Sequence, residues 1–323
     1  MDLEQNAEIP ASTQPQAHYQ LVIIGSGPAG LTAAIYGARG GLKTALFGGA
    51  VPGGQLIMTM EIENFPGFPE PVAGTDLMQA MIKQAGRLGA SIFNDEITGV
   101  EFSNAPFRLK ISGGKTCTAD SVIIATGAQA RWLGLPSETR YAGKGISGCA
   151  TCDGFFYRGK EVCVVGGGDT AAGDALFLTK FATKVYLVHR RDTLRASFRM
   201  QEKLRNAPKV EIIYDSVPEE MLGAERISGI KLKNLKTGAV REIALAGIFI
   251  AIGHTPATSL FKDVLKLDAE GYIVTDPRGG TSVPGVFAAG DVMDRSYKQA
   301  IVAAGAGCRA AMEAGKYLEE LKK

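Results

Sequence analysis

An apolar run, a glycine-rich turn and a helix occur in that order twice in this chain, and this pattern constrains the fold more than any other feature. Tyr19 to Ile24 read "YQLVII", a short β-rich run; "GSGPAG" follows at Gly25 to Gly30, and then a helical stretch, "LTAAIYGARGGL". That order points a helix N-terminus, with its unpaired N–H groups, at a pyrophosphate. Gly25 permits the tight turn, Gly27 the close approach of a phosphate, and Gly30 the contact between helix and strand. The second copy begins with "KEVCVV", Lys160 to Val165, and passes through "GGGDTA", Gly166 to Ala171, into the helix "AGDALFLTKFA". A new strand, "KVYLV", follows at Lys184 to Val188. Two such units predict an α/β protein with two Rossmann-like, three-layer domains. Two dinucleotide sites in one chain suggest electron transfer between a flavin and a nicotinamide.

The one dense basic cluster sits where the second unit needs it. "HRRDTLRAS", His189 to Ser197, starts at the end of the second strand, where the adenosine ribose lies in this architecture. An acidic residue there accepts from a free ribose 2′-OH, whereas Arg190, Arg191 and Arg195 suit a 2′-phosphate, so the expected nicotinamide is NADPH. The first unit reads "TALFGGAVPGGQL" at that place, without an Asp or Glu at the strand end, and supplies a second glycine turn at Gly53, Gly54 and Gln55 instead.

"VIIATGA" (Val122 to Ala128) and "IFIAIGH" (Ile248 to His254) are matched apolar strands ending in Ala-x-Gly. They read as the crossings of one domain inserted in another. Residues 19–130 and 256–323 are expected to form a discontinuous FAD-binding domain, and 131–255 the NADPH-binding domain. "GVFAAGD", Gly285 to Asp291, closes the first domain with a buried strand whose aspartate is placed for a ribityl or phosphate contact.

Composition narrows the class. With 35 basic and 33 acidic residues, the chain has no bulk attraction for nucleic acid, and no apolar run reaches the roughly 20 residues that span a bilayer. "MDLEQNAEIPASTQPQAH", residues 1–18, resembles neither a secretory signal nor a transit peptide and reads as a flexible leader of a cytoplasmic protein. Five cysteines, only two of them closely spaced, do not make a secreted disulfide framework.

Those two stand in "GCATCDGFF", Gly148 to Phe156. A zinc site needs further ligands, but Cys117, Cys163 and Cys308 are isolated and the histidines are His18, His189 and His254, so no metal is expected. A redox dithiol remains: one thiolate of Cys149 and Cys152 attacks an incoming disulfide and the other resolves the mixed disulfide. Asp153, directly behind, supplies a proton if burial raises its pKa; its plainer role is to form a turn ahead of Gly154. Cys163 and Cys308 read as buried packing residues.

Taken together, "CATCDG", "FFYRGK", "GGGDTA", "HRRDTLRAS" and "GVFAAGDVMDRSYKQA" resemble the low-molecular-weight bacterial thioredoxin reductases, with "GGQL", "ENFPGFP", "ATGA", "LGLP" and "AIGHTP" in matching order from about Tyr19 to Leu318. The resemblance implies a homodimer with FAD and NADPH in each chain. It implies hydride transfer from NADPH to flavin and electron transfer onward to Cys149–Cys152 and thioredoxin. Cys152 then faces the flavin, Cys149 attacks thioredoxin and Asp153 is the acid. It also implies rotation of the NADPH domain about two crossings, here Gly127 to Leu135 and Gly253 to Thr258.

The implied FAD contacts begin with Gly25, Ser26, Gly27, Pro28 and Ala29 in the first turn, and continue with Gly54, Gln55, Leu56 and Asn64. Further along they are Ala125, Thr126 and Gly127, then Gly290, Asp291, Gln299 and Ala300. For NADPH they are Gly167, Gly168, Asp169 and Thr170, then His189, Arg190, Arg191 and Arg195, and finally Ile252.

Three residues at two places depart from the pattern. Gly173 and Asp174 stand where two glutamates are usual, and Lys298 stands where an arginine is usual. The first bears on nicotinamide affinity and the second on flavin affinity, since lysine gives up the planar fork of arginine. A reductase of another disulfide acceptor and a dithiol oxidase share the architecture. The short leader argues against an appended redox domain, and the arginine cluster against an oxidase. A flavoprotein that binds nucleotides without turnover would not need the complete C-x-x-C-D.

Overall fold

In a computed structural model of the chain, residues 14–50, 52–59 and 61–323 are described. The expected leader falls largely on residues 1–13, outside the described residues; its last member, His18, already belongs to the first strand. The described chain divides into two compact units, one of residues up to Gln129 with Thr255–Lys323, the other of Ala130–His254.

In chain order, the first unit runs β1 (His18–Ile24), α1 (Pro28–Arg39), β2 (Thr44–Phe47), α2 (Gly74–Arg87), β3 (Ser91–Phe93), β4 (Ile97–Glu101), β5 (Phe107–Ile111) and β6 (Thr116–Ile124). A crossing strand, β7 (Ala128–Ala130), leads out. The second unit contains α3 (Pro136–Arg140), β8 (Ile146–Ser147), α4 (Ala150–Asp153), β9 (Glu161–Gly166), α5 (Asp169–Leu178), β10 (Lys184–Val188), α6 (Phe198–Arg205) and β11 (Val210–Ile213). It ends with β12 (Ser216–Gly223), β13 (Ile227–Asn234), β14 (Val240–Ala244) and β15 (Gly247–Ala251). The return crossing, β16 (His254–Pro256), pairs with β7, and β17 (Val286–Ala288) and α7 (Ala300–Glu320) complete the first unit.

In the first unit the strands lie in the order β3-β2-β1-β6-β5-β4, with β17 also on β6. The nine residues of β6 serve two layers. Thr116 to Ala119 pair antiparallel with β5, and Val122 to Ile124 pair parallel with β17. Strands β1, β2, β3, β6 and β17 are parallel, and Leu21 to Ile24 and the whole of β2 are almost wholly buried, as expected of strands covered on both faces. One face packs α1, α2 and α7 over Leu21, Ile23, Leu46 and Ile123; the other buries Phe47, Phe93, Phe107, Leu109 and Phe261. The small residues of α7 let it approach α1 closely: a Cβ on Gly307 would stand 2.0 Å from the Ala29 carbonyl oxygen.

The second unit is a parallel sheet ordered β11-β10-β9-β15-β8, with the antiparallel β12-β13-β14 as a separate sheet. Its helix α5 runs unbroken through Gly173, with room beside it, since a Cβ there would meet only the Met200 methyl at 3.8 Å. Gly173→Ala should therefore stabilise the protein by about 1 kcal/mol in chemical denaturation. A decrease in stability would show that the site is more crowded than this contact indicates. Among the described residues no helix is long and apolar enough to cross a membrane.

Candidate active site

In the first unit the expected flavin residues gather around the first turn of α1. Gly25 takes φ +112°, a conformation in which side chains are strained, and a Cβ there would stand 2.3 Å from the Ala125 carbonyl oxygen. Gly27 caps α1 without a side chain and Pro28 occupies the first turn, where its missing N–H costs nothing. Space beside Gly27 is open, because a Cβ there would meet nothing within 4 Å. Gly54 and Gly290 approach from two other loops, their ideal Cβ positions lying 3.0 Å from Gly27 Cα and 2.9 Å from Ala29 Cβ. This turn, with no acidic residue and open space at its mouth, fits a pyrophosphate.

Other expected contacts are partly occupied with each other. Ser26 is buried, its hydroxyl donating to the Gly48 carbonyl at 3.2 Å and accepting from Gly53 N–H at 2.9 Å; it ties two loops together. Thr126 Oγ1 donates to Ala257 O at 2.8 Å, and the Gln55 amide donates to Ala128 O, so both brace the start of a crossing. Asn64 Nδ2 donates to Gln299 Oε1 at 3.2 Å, and Ala300 begins α7 directly after Gln299. Leu56 lies in a 3-10 turn (Gly54–Met58) against the core. Asp291, in a 3-10 turn (Gly290–Val292), has its carboxyl pushed up to about 6 by burial, with Lys298 opposing and Asp294 reinforcing. A half-buried acceptor of this kind suits hydroxyl donors such as a ribityl chain.

In the second unit the loop of arginines is fastened to the glycine turn. Gly167 O accepts from Arg195 N at 2.7 Å and from Ala196 N at 3.0 Å, while Asp169 Oδ1 accepts from Ser197 N at 2.8 Å. The His189 ring packs on Gly167, where a Cβ would stand 2.1 Å from Nδ1. Burial, with the charges of Arg195 and Arg191, lowers the His189 pKa, and its buried Nε2 has no hydrogen-bond partner. Space beside Gly168 is open, Asp169 and Thr170 are exposed in the first turn of α5, and Ile252 is half-buried just past β15. Arg190, Arg191 and Arg195 are exposed, and none forms an ion pair with a described residue. An orphaned imidazole nitrogen and three uncommitted guanidinium groups beside an open helix start fit the phosphates of NADPH.

The dithiol lies in the same unit. Cys149 and Cys152 are disulfide-bonded, with Sγ atoms 2.09 Å apart. Edge strand β8 leads into Cys149, which caps α4; its Sγ accepts from Cys152 N–H at 3.2 Å. Ala150 is buried and anchors the turn, while Cys152 is exposed and Cys149 half-buried. A backbone donor aimed at Cys149 Sγ favours its thiolate once the bond is reduced. Burial raises the Asp153 pKa, as an acid for thiol chemistry requires, and a hydrogen bond from Ser147 opposes the rise. Ser147, to which the sequence reading assigned nothing, is buried at the end of β8; a hydroxyl two residues before a C-x-x-C was the signal available.

Cys163 is buried and its thiol pKa raised by burial, but Cys308 is only half-buried, with Sγ 4.0 Å from Met312 Sδ, because α7 turns that face partly outward. Among the described residues no group of three or more His, Cys, Asp or Glu side chains is placed to hold a metal ion.

The sequence model of the pyridine nucleotide-disulphide oxidoreductases matches residues 19–307. The chain belongs to that family. Within it, the chain is 49% identical over 303 residues to a thioredoxin reductase of Streptomyces coelicolor, covering 93% of this chain and 94% of that one. It is 47% identical over 305 residues to a thioredoxin reductase of Rickettsia typhi, covering 93% and 98%. Among solved structures, the thioredoxin reductase from Giardia duodenalis aligns with a TM-score of 0.90 at 45% identity, over 94% of this chain and all of that one. That of Streptococcus pyogenes aligns at 0.89 and 40%, over 95% of this chain and all of its own. Thioredoxin reductases of this family use FAD and NADPH.

Proposed function

We propose that this chain is an NADPH-dependent thioredoxin-disulfide reductase whose exchange centre is Cys149, Cys152 and Asp153. The observation that carries the reading is a capped disulfide with a half-buried carboxyl directly behind it, in the same unit as an arginine loop fastened to a glycine turn. In this reading the unit of Ala130–His254 holds NADPH through Gly167, Gly168, Asp169, Thr170, His189, the three arginines and Ile252. The other unit holds FAD through the turn at Gly25 to Ala29, the loops of Gly54 to Leu56 and Asn64, Ala125 to Gly127, Gly290, Asp291, Gln299 and Ala300. When bound there, FAD would supply a two-electron carrier between NADPH and the disulfide.

The chain's own residues then carry the exchange. Cys149 thiolate bonds to one sulfur of the thioredoxin disulfide, that disulfide breaks, and the leaving thiolate takes a proton from Asp153. Cys152 thiolate next attacks Cys149 Sγ, closing the Cys149–Cys152 bond and releasing the second thioredoxin sulfur as a thiolate that takes its proton from water. Two electrons leave the dithiol and reduce one disulfide. By the family resemblance, the crossings at Gly127 to Leu135 and Gly253 to Thr258 serve as the hinge that presents the dithiol first to flavin and then to thioredoxin. A homodimer in the cytoplasm is proposed on the resemblance alone, and a dithiol that cycles rather than a fixed disulfide framework suits a reducing compartment.

One experiment tests the centre directly. The flavin-loaded protein is incubated anaerobically with one equivalent of NADPH, its thiols are alkylated with a mass tag, and the peptides are mapped. Tags on Cys149 and Cys152 that appear only with NADPH are expected; the same peptides still disulfide-linked would refute the reading. Asp153→Asn removes the proton donor and should slow single-turnover thioredoxin reduction on the order of a hundredfold. Because the acid form of Asp153 is the working one, the wild-type rate should fall as pH rises through its elevated pKa. That limb should be missing from the variant.

A further inference from the structure

We propose that Lys236, in the turn between β13 and β14, is a positioning residue of the nucleotide site: it engages the one carboxylate of the arginine loop, Asp192, so that the three guanidinium groups stay free for a 2′-phosphate. The inference deepens the function proposed above and rests on its reading of that loop as a 2′-phosphate site. Lys236 Nζ lies 3.2 Å from Asp192 Oδ2 and 3.1 Å from Asp215 Oδ2. Within His189 to Ser197, Asp192 is the only acidic residue, and it directly follows Arg190 and Arg191. Backbone hydrogen bonds fix the lysine's turn against this loop. Arg191 O accepts from Asp215 N–H at 3.1 Å, and Asp215 O, in a residue at φ +50°, accepts from Leu235 N–H at 2.6 Å. His189 O accepts from Ser216 N–H at 3.0 Å, where β12 begins. Asn234 Oδ1 shapes the turn itself by accepting from Lys236 N–H at 3.0 Å and from Thr237 N–H at 2.9 Å.

A carboxylate in the arginine loop has two ways to weaken phosphate binding. It competes for the guanidinium groups, and its charge repels the phosphate. The Lys236 ammonium answers both, by giving Asp192 a partner of its own and by offsetting its charge. Thr193 Oγ1, 3.3 Å from Asp192 Oδ1, occupies the other carboxylate oxygen. Lys236 and Asp192 are both exposed, so their pairing contributes little to folding. Its effect belongs instead to the choice between nucleotides, because a ribose with a free 2′-OH brings no phosphate for Asp192 to repel.

The test is binding of adenosine 2′,5′-bisphosphate and of adenosine 5′-phosphate to the oxidised, flavin-loaded full chain, by calorimetry at low salt. Lys236→Ala should weaken the bisphosphate about fivefold and the monophosphate less than about twofold, a difference that shrinks as salt screens the charges. Lys236→Arg, which keeps the charge, should bind the bisphosphate within about twofold of wild type. In an Asp192→Asn chain the same Lys236→Ala change should cost less than about twofold, since the carboxylate that the lysine restrains is gone. A full loss that persists in Asp192→Asn would show that Lys236 acts on the loop's structure rather than on Asp192. Either that result or an unchanged affinity in Lys236→Ala would overturn the proposal while leaving the arginine loop's role intact. Wild-type protein that binds both nucleotides equally would instead refute the reading of the arginine loop, and this inference with it.

Discussion

Cys149→Ser should abolish thioredoxin reduction, by at least about a thousandfold, while NADPH still reduces the protein's flavin at close to the wild-type rate. Serine fits the cap of α4, since its oxygen can accept the Cys152 N–H as Cys149 Sγ does now. What it lacks is a thiolate at neutral pH. The complementary change separates the roles of the two sulfurs. Cys152→Ser leaves Cys149 able to attack but unable to be resolved, so a stable mixed disulfide with thioredoxin should accumulate through Cys149. Exposure alone favours the opposite order, because Cys152 is exposed and Cys149 half-buried. The backbone donor on Cys149 Sγ favours the assignment made here. Thioredoxin reduction by Cys149→Ser within tenfold of wild type would reverse it.

Arg190→Ala with Arg191→Ala should raise the KM for NADPH on the order of a hundredfold and that for NADH by less than about threefold. Charge-assisted hydrogen bonds contribute about 1.5–3 kcal/mol each, so two lost to a 2′-phosphate reach that range, and NADH has no such phosphate. The fold should tolerate the change. Both side chains are exposed and neither holds an ion pair with a described residue, so no buried partner is left uncompensated. The backbone tethers of the loop, from Gly167 O to Arg195 N and Ala196 N, and from Asp169 to Ser197 N, do not use these side chains. Equal weakening of both nucleotides would show that the arginines do not read the 2′-phosphate.

Local pattern revealed much of this architecture and long-range pairing concealed the rest. The strand, glycine turn and helix at Tyr19 to Arg39 and at Glu161 to Leu178 were readable because each packs all its signals into a short window. The separate sheet β12-β13-β14 was not, since its short, irregularly buried strands carry bulges near Pro218 and Leu222 that break the alternation. Ser26 reads as a cofactor contact in "GSGPAG", yet its hydroxyl is spent on Gly48 and Gly53, more than twenty residues away. Ser147 illustrates the same limit from the other side. Its register comes from β15, about a hundred residues later in the chain, so no local reading could show where the hydroxyl points. Cys308 looked like a core residue among the small side chains of α7, but that helix buries its small face and turns the cysteine partly outward.

The central claim is that electrons from NADPH leave this protein through Cys149 and Cys152 to thioredoxin. Its most direct test is anaerobic NADPH oxidation by the flavin-loaded protein, started by adding oxidised thioredoxin, with NADH and Cys149→Ser as controls. Fast oxidation that requires both thioredoxin and Cys149, and that prefers NADPH, is the expected result. NADPH oxidation that is indifferent to thioredoxin, or that survives in Cys149→Ser, would contradict it.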